Sequence, residues 1–465
     1  MLIKPSPRVP SLDYNIEIYK FLILDQLSAE SERMRVEIHK LFRILYQFMY
    51  SHKMRVVPSC LASSSFNGAG LHEEYPARKS ISDSSEIHHT LPLANIWQDI
   101  QGASWWNGLL DPMNPVLKAE ILRYGDFAQL CYDAFDSKHC MNYYSGCKHS
   151  PDKLLYSNYN VASNWQAYYG YQVTKYLYTE ADHIISGRQT VQSVWIGFIA
   201  VCTDVQQIRR AGRRDIAIAW RGTQTSEEWI QDITDFLVPA RLSTANRLNG
   251  KDVRVEKGFL NCYISTGETV SSEILRLLDE YKDETLSVTL TGHSLGAALA
   301  TLCSYDVKQI LKTHSPANPI PVTVLAFASP RVGNRAFARR MEELGVKVLR
   351  LVNKNDIVPK FPGLLVNENS WGWFRNMLDW LPWTYIHVGV QIVLDNNDSP
   401  LLKHSHNVIS AHNLEVYLHV IDGYVGEGKP FRSSGRDLAL VNKSCDLLIE
   451  DLGISAYWFH QHQED

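Results

Sequence analysis

Ser294 lies between two glycines in the run "LTGHSLGAALATL", which spans Leu290 to Leu302. A hydroxyl at that position invites nucleophilic chemistry. An apolar, strand-like stretch precedes it and an alanine-rich, helix-like stretch follows. That is the setting of the G-x-S-x-G nucleophile elbow. A strand-to-helix turn this tight holds the serine in a strained backbone conformation. Side chains two residues to either side would collide, so Gly292 and Gly296 are needed there. The gain is a serine hydroxyl exposed at the rim of a sheet, beside a positive helix N-terminus. The pentapeptide alone is a weak signal, but the strand before it and the helix after it strengthen the reading greatly.

A serine needs a base to take its proton and a third group to orient that base. Where nucleophile elbows occur in α/β-hydrolases, the chain order is serine, acid, histidine. Asp356, in "LVNKNDIVPKFPG", follows an apolar run and suits the acid, because loops after parallel strands open on one edge of a sheet. Asp395, at the end of "HVGVQIVLD", is its rival. Five histidines lie downstream: His387, His404, His406, His412 and His419. His387 sits in an alternating run and reads as structural, while His404 and His406 fall in a polar loop. His419 reads as packed or solvated. His412 opens the helix-like "HNLEVYLHVI" with Ser410 available as its cap, and a histidine at such a junction reaches a sheet edge. It is the chosen base. The developing oxyanion needs two backbone donors. The amide after the nucleophile, Leu295, supplies one. Thr223 in "AWRGT" supplies the other, from a loop after an earlier strand.

The elements that must hold these groups are legible as apolar runs ending in turn chemistry. They are "SVWIGFIAV" from Ser193, "DIAIAW" from Asp215, "SVTLTG" from Ser287, "VTVLAFA" from Val322 and "VKVLRLV" from Val346. Helical stretches at Ser271–Tyr281 and Ala297–Leu311 separate several of them. Near-continuous β-branched strands alternating with helices predict an α/β fold, with a mostly parallel central sheet covered on both faces. Upstream, residues 95–135 show helical periodicity and predict a scaffold of helices packed on the core. The expected organisation is a leader over 1–90 and a hydrolase domain over 91–465. That domain divides into a helical preface (91–190), a catalytic core (191–425) and a C-terminal tail (426–465). No internal repeat is visible.

Bulk properties narrow the function classes. With 46 basic and 50 acidic residues, the net charge of −4 gives no electrostatic reason to expect nucleic acid. The eight cysteines form no C-x-x-C pair and read as mostly reduced thiols. No histidine spacing suits a metal, and the chemistry needs neither metal nor cofactor. The longest apolar run, Val194 to Cys202, is far too short to span a bilayer, so membrane contact is expected to be peripheral. The first twenty residues lack the continuous apolar stretch of a secretory signal. The run "MRVVPSCLASSSFNGAG" from Met54 is basic, Ser-rich and free of acids, like an organelle transit segment. The acids before it leave two readings open, a start at Met54 or a surface arm. Two stretches suit a lipid interface. Trp229, Ile230 and Ile233 share a helical face beside the Thr223 loop and could form a lid. "SWGWFRNMLDWLPW" (370–383) carries Trp371, Trp373 and Trp380 among its four tryptophans. Core packing is the competing reading for both.

Taken in order, "WWNGLLDP" (105–112), "ILRYGDFAQLCYDAF" (121–135), "AWRGTQTSEEWIQDI" (219–233), "VTLTGHSLGAALATL" (288–302), "FASPRVGN" (327–334), "RLVNKNDIVPK" (350–360), "YIHVG" (385–389) and "AHNLEVYLHVIDGY" (411–424) resemble the plant class 3 lipases. The likeness is to their phospholipase A1 group, within the α/β-hydrolases. It runs from about residue 95 to the C-terminus, and "GRDLALVNK" (435–443) brings it nearest to the chloroplast-targeted class I members. The resemblance implies acyl-ester hydrolysis with Ser294 as nucleophile, Asp356 as orienter and His412 as base. It implies glycerolipid substrates at a membrane or lipid-droplet surface, among phosphatidylcholine, galactolipids and triacylglycerol, and an sn-1 (A1-type) preference. It also implies a plastid location, with a cytoplasmic one as the alternative. A triacylglycerol lipase or acyltransferase is a competing enzyme reading. A non-catalytic lipase-like scaffold is the competing non-enzyme reading.

Overall fold

The computed structural model of the protein describes residues 92–136, 144–155, 170–185, 188–223, 237–240, 253–314, 319–362, 384–403 and 408–461. Contacts divide the chain into a unit over 1–80 and a unit over 81–465, and every described residue belongs to the second. The leader expected over 1–90, Met54 included, lies outside the described residues. So do the lid candidates Trp229, Ile230 and Ile233, the tryptophans Trp371, Trp373 and Trp380, and His404 and His406.

In chain order the described strands begin with β1 (Tyr144–Ser145), β2 (Tyr171–Ile185), β3 (Arg188–Cys202), β4 (Arg214–Trp220), β5 (Leu237–Pro239) and β6 (Arg254–Glu256). They continue with β7 (Leu286–His293), β8 (Val322–Phe327), β9 (Gly333–Asn334), β10 (Lys347–Asn353), β11 (Tyr385–Ile386) and β12 (Val390–Leu394). The main sheet runs β1-β3-β4-β7-β8-β10-β12, with β2 added on β3, and β11-β9-β6-β5 form a small second sheet. From β4 to β12 every pairing in the main sheet is parallel, whereas β3 pairs antiparallel with both β2 and β4.

Two helical layers explain the apolar patterning. One contains α1 (Leu93–Ile100), α2 (Pro115–Asp133) and, much later in the chain, α5 (Leu414–Gly423). The other contains α3 (Lys257–Glu280) and α4 (Leu295–His314). Strand residues alternate between them. Ala217 and Ala219 pack with the first layer, while Ile216, Ile218 and Trp220 pack with the second. Leu325 and Phe327 face the first layer, and Val322, Val324 and Ala326 the second. A strand covered on both sides carries no polar face, which is why these runs read as continuously apolar.

The structure corrects the preface. Helices do occupy Leu93–Ile100 and Pro115–Asp133, the latter started by Pro115 and capped by the Asn114 side chain on the Val116 and Leu117 amides. From Tyr171, however, the chain forms the long β2–β3 hairpin, so 91–190 is not all helical. Tyr171, Val173 and Leu177 alternate at the strand period, but Lys175 and Glu180 interrupt the run and hide it. Helix α3 also begins at Lys257, well before the expected Ser271. Its first half carries Gly258, Thr266 and Gly267, weak helix formers that tertiary packing overrides.

The tail after Gly423 docks against α2 and α5 instead of trailing away. Buried Arg436 pairs with Asp126 (2.7 Å) and Glu415 (2.8 Å), and buried Lys443 pairs with Asp133 (2.7 Å) and Glu415 (3.1 Å). The described cysteines are all free thiols. No described helix is long and apolar enough to cross a membrane.

Strand registers bring the chemistry-bearing loops together. Trp220 pairs with Gly292, His293 with Phe327, Phe327 with Leu351, and Asn353 with Leu394. The loops carrying Thr223, Ser294, Asp356 and Asp395 therefore leave the same edge of the sheet.

Candidate active site

Ser294 is the single residue between β7 and α4, and its φ is 59°. Left-handed backbone at a non-glycine residue costs on the order of 1–3 kcal/mol. Local bonds hold it there. The Ser294 amide donates to the Phe327 carbonyl (2.9 Å), and the Ser294 carbonyl accepts from the Ala297 (3.0 Å) and Ala298 (3.3 Å) amides. The flanking glycines answer to space. A Cβ on Gly292 would lie 2.3 Å from the Gly296 carbonyl group, and one on Gly296 would lie 2.4 Å from the Trp220 oxygen. Both obstacles are backbone, so neither can give way.

The Ser294 hydroxyl donates to His412 Nε2 at 2.9 Å, and His412 Nδ1 meets Asp356 Oδ2 at 2.7 Å. An ionised carboxylate only accepts hydrogen bonds. The shared proton therefore sits on Nδ1 and leaves Nε2 as the acceptor facing the serine. Asp356 is fully buried. Its Oδ1 accepts from the Val358 amide (2.9 Å), and its Oδ2 accepts a second bond from the Tyr417 hydroxyl (2.7 Å). A buried carboxylate without such donors would carry a heavy desolvation cost.

The base is held by its flanks. It does not open α5 under a Ser410 cap, as the sequence suggests. The cap is Asn413, whose side chain accepts from the Glu415 (2.9 Å) and Val416 (3.3 Å) amides, and His412 stands just ahead of it. Asn413 takes the cap instead of Ser410 because the helix starts at Leu414, two residues later than periodicity implies. Asn353, the last residue of β10, donates from Nδ2 to the Ala411 carbonyl (2.9 Å), and its amide donates to the Tyr417 oxygen (2.9 Å). It thus ties the acid loop to the base loop. Sequence reading missed Asn353 and Tyr417. The available signal was their place inside two quoted motifs, "RLVNKNDIVPK" and "AHNLEVYLHVIDGY".

The rivals have other work. Asp395 accepts from the Asn397 amide (2.9 Å) and the Asn355 side chain (2.9 Å) and pairs with Lys354. His387 donates to the Pro359 carbonyl (2.9 Å), and burial pushes its pKa well down, helped by Arg350 and Arg331. His419 meets the Ser399 hydroxyl at 2.8 Å and packs on Phe431.

Leu295 is the first residue of α4, with its amide at the positive end of that helix. Thr223 is half-buried and directly follows Gly222, which is wedged against the elbow. A Cβ on Gly222 would lie 2.7 Å from the His293 carbonyl oxygen. The structure thus brings Ser294, His412 and Asp356 into one hydrogen-bonded line, with the Thr223 loop packed beside it. Such a line can raise the nucleophilicity of a hydroxyl and stabilise the imidazolium that forms as the proton moves.

A family model described as Lipase (class 3) matches residues 217–366. The chain is 44% identical over 397 residues to phospholipase A1-Igamma2, chloroplastic, of Arabidopsis thaliana, across 79% of this chain and 73% of that protein. It is 40% identical over 353 residues to the galactolipase DONGLE, chloroplastic, of the same plant, across 72% of this chain and 71% of that one. Among solved structures, the native propeptide complex of Rhizomucor miehei lipase is 20% identical, covering 67% of this chain and 82% of its own, with a TM-score of 0.40. The Arabidopsis names carry the word chloroplastic, which supports a plastid localisation. On these sequence relatives, the chain belongs to the plant class 3 lipases, in the chloroplastic phospholipase A1 group, and is a serine acyl-ester hydrolase.

Proposed function

We propose that the chain hydrolyses the sn-1 acyl ester of membrane glycerolipids, taking phosphatidylcholine and galactolipid, with triacylglycerol as a further substrate. Its relatives named phospholipase A1 and galactolipase support that substrate class. Residues 91–465 act as one lipase domain that meets the membrane peripherally, and residues 1–90 act as a leader.

Ser294 Oγ attacks the ester carbonyl carbon while its proton passes to His412 Nε2. Asp356 keeps the imidazole oriented and favours its positive charge. The carbonyl oxygen becomes an oxyanion held by the amides of Leu295 and Thr223. Collapse breaks the bond to the glycerol oxygen, which leaves as the lysolipid with the proton from His412. Water, giving its proton to the same nitrogen, then attacks the acyl-serine. Return of that proton to Ser294 Oγ releases the fatty acid. The observation that carries this reading is the unbroken line from Ser294 Oγ through His412 to fully buried Asp356, behind a serine at φ 59°.

The test uses purified protein and Ser294→Ala with vesicles of phosphatidylcholine or monogalactosyldiacylglycerol labelled at one acyl position. The parent should free the sn-1 chain, and the variant should lose about 10⁴-fold or more in rate. Hydrolysis retained by Ser294→Ala overturns the mechanism. Release confined to the sn-2 label overturns the regiochemistry.

A further inference from the structure

His293, the variable residue of the elbow, is buried and bonded at both ring nitrogens. Its Nε2 lies 2.8 Å from the backbone oxygen of His412, and its Nδ1 lies 2.8 Å from the Tyr132 hydroxyl. A carbonyl oxygen can only accept, so Nε2 carries the hydrogen. In the neutral ring Nδ1 is then bare and accepts from the Tyr132 O–H. The Tyr132 oxygen also packs against Gly222 of the Thr223 loop. The approach is close enough to require glycine, since a Cβ there would lie 2.1 Å from the Tyr132 oxygen.

The result is one directed chain of hydrogen bonds. It runs from the Tyr132 hydroxyl, packed against Gly222, to His293 Nδ1, and from His293 Nε2 to the His412 carbonyl. One end fixes the loop that presents Thr223. The other fixes the backbone of the base. The middle is the residue before the nucleophile, so the two loops are tied through the elbow itself.

We propose that His293 and Tyr132 are positioning residues for the reaction, holding the oxyanion loop and the base loop in mutual register around Ser294. This rests on the function proposed above. The ring state fits the task. Burial, and then the neighbouring His412, push the His293 pKa well below the usual histidine range. The two imidazoles stand with centroids 4.6 Å apart. A neutral His293 therefore places no opposing charge beside the imidazolium that His412 becomes. Neither side chain of the pair is required to exchange a proton with substrate. Their contribution is geometric, and a displacement of about 1 Å at a reacting group can cost about 10²-fold in rate.

The test measures kcat and KM on a soluble short-chain p-nitrophenyl ester for the parent, Tyr132→Phe, His293→Gln, His293→Leu and Ser294→Ala, with thermal unfolding of each. Tyr132→Phe removes one oxygen and keeps the ring. It should lower kcat by about 10–100-fold with KM within about twofold. His293→Gln keeps an N–H for the His412 carbonyl and should retain more kcat than His293→Leu, which keeps none. A purely structural role would lower the melting temperature and leave the folded enzyme's kcat unchanged. The inference is overturned if Tyr132→Phe and His293→Leu, both folded, turn over within twofold of the parent while Ser294→Ala is inactive. If His293→Leu does not fold, Tyr132→Phe alone decides the matter. An active Ser294→Ala would instead sink the underlying reaction.

Discussion

Two serine–imidazole pairs involve one helical segment, the first just ahead of it and the second midway along it, and their likeness is superficial. Ser294 meets His412 Nε2 at 2.9 Å just ahead of α5, and Ser399 meets His419 Nε2 at 2.8 Å within it. Distance does not separate them, but their surroundings do. Ser294 is held at φ 59° on a strand-to-helix turn, whereas Ser399 has ordinary extended backbone, φ −83° and ψ 119°. His412 has a buried carboxylate on its second nitrogen. The ring of His419 packs instead against Phe431 at 5.1 Å, and burial brings its pKa down to about 4. A hydrogen-bonded serine and histidine are therefore not yet a nucleophile and base. What distinguishes the first pair is a partner that welcomes the charge the imidazole acquires when it takes a proton. Stabilisation realised only as the reaction proceeds accelerates it, and a bond equally good in the resting state does not.

Removing that partner's charge should convert the first pair toward the second, and this is the largest effect expected. In Asp356→Asn the new amide donates toward His412 Nδ1. That pushes the ring proton to Nε2, where it faces Ser294 with no lone pair to offer. A fall in kcat of about 10⁴-fold is expected; the Val358 amide keeps its acceptor at the remaining oxygen, while the Tyr417 hydroxyl, which shares Oδ2 with His412, must turn away from the new NH2 group. Steady-state kinetics on a soluble ester measures it. A loss below tenfold would mean that His412 works without its carboxylate, and the two pairs would no longer differ in kind.

The next variant asks whether any buried carboxylate beside this helix would serve. Glu415 is only three residues beyond His412, yet its oxygens face Arg436 and Lys443. Burial alone would raise its pKa, but those two cations outweigh burial and hold it below the usual range. Its charge is matched when the chain folds, not when substrate reacts. Glu415→Gln takes a shared carboxylate from two buried cations but leaves Arg436 with Asp126 and Lys443 with Asp133, and should cost about 1–3 kcal/mol of stability. The folded enzyme should keep kcat within about threefold. Urea unfolding read as a midpoint shift at constant slope, beside kinetics, separates the two. An unchanged midpoint with a collapsed kcat would put Glu415 in the chemistry and remove the distinction.

How far the sequence reveals this contrast depends on how local each cause is. The elbow is written in five consecutive residues, because its steric demands act within the turn. Asp356 and His412 are reachable because parallel strands send their following loops to one edge, and chain order does the rest. The strands themselves are legible, since burial on both faces leaves runs such as Val322–Phe327 with no polar residue but a threonine. Of the β2–β3 hairpin only the run from Ser193 is, because the rest lies outside the parallel run and carries charges on its strands. The partners that hold the site are hidden for another reason. Tyr132 and His293 are 161 residues apart, and Asn353 reaches Ala411 across 58. Glu415 meets Lys443 only because the tail folds back. Nothing in a hydroxyl, an amide or a lysine declares such a contact before the fold exists.

The smallest effect on turnover is expected from the inert pair, whose contribution appears in stability instead. An unfolded histidine titrates near 6.5, whereas buried His419 holds its pKa at about 4. Between those values the unfolded chain binds the proton and the folded chain does not. Stability is therefore complete above about pH 6.5, falls as the pH drops through the window, and levels off below about 4. The loss attributable to His419 should reach about 3 kcal/mol at the acid end. His293 and His387, also depressed by burial, add losses of the same sign. The difference between parent and His419→Gln isolates the one residue. Unfolding free energies measured from pH 7 to 4 should fall less steeply in the variant, while kcat at neutral pH stays that of the parent. Parallel curves would mean that His419 is charged in the native state, and so not the unassisted, neutral imidazole that makes the pair at Ser399 chemically silent.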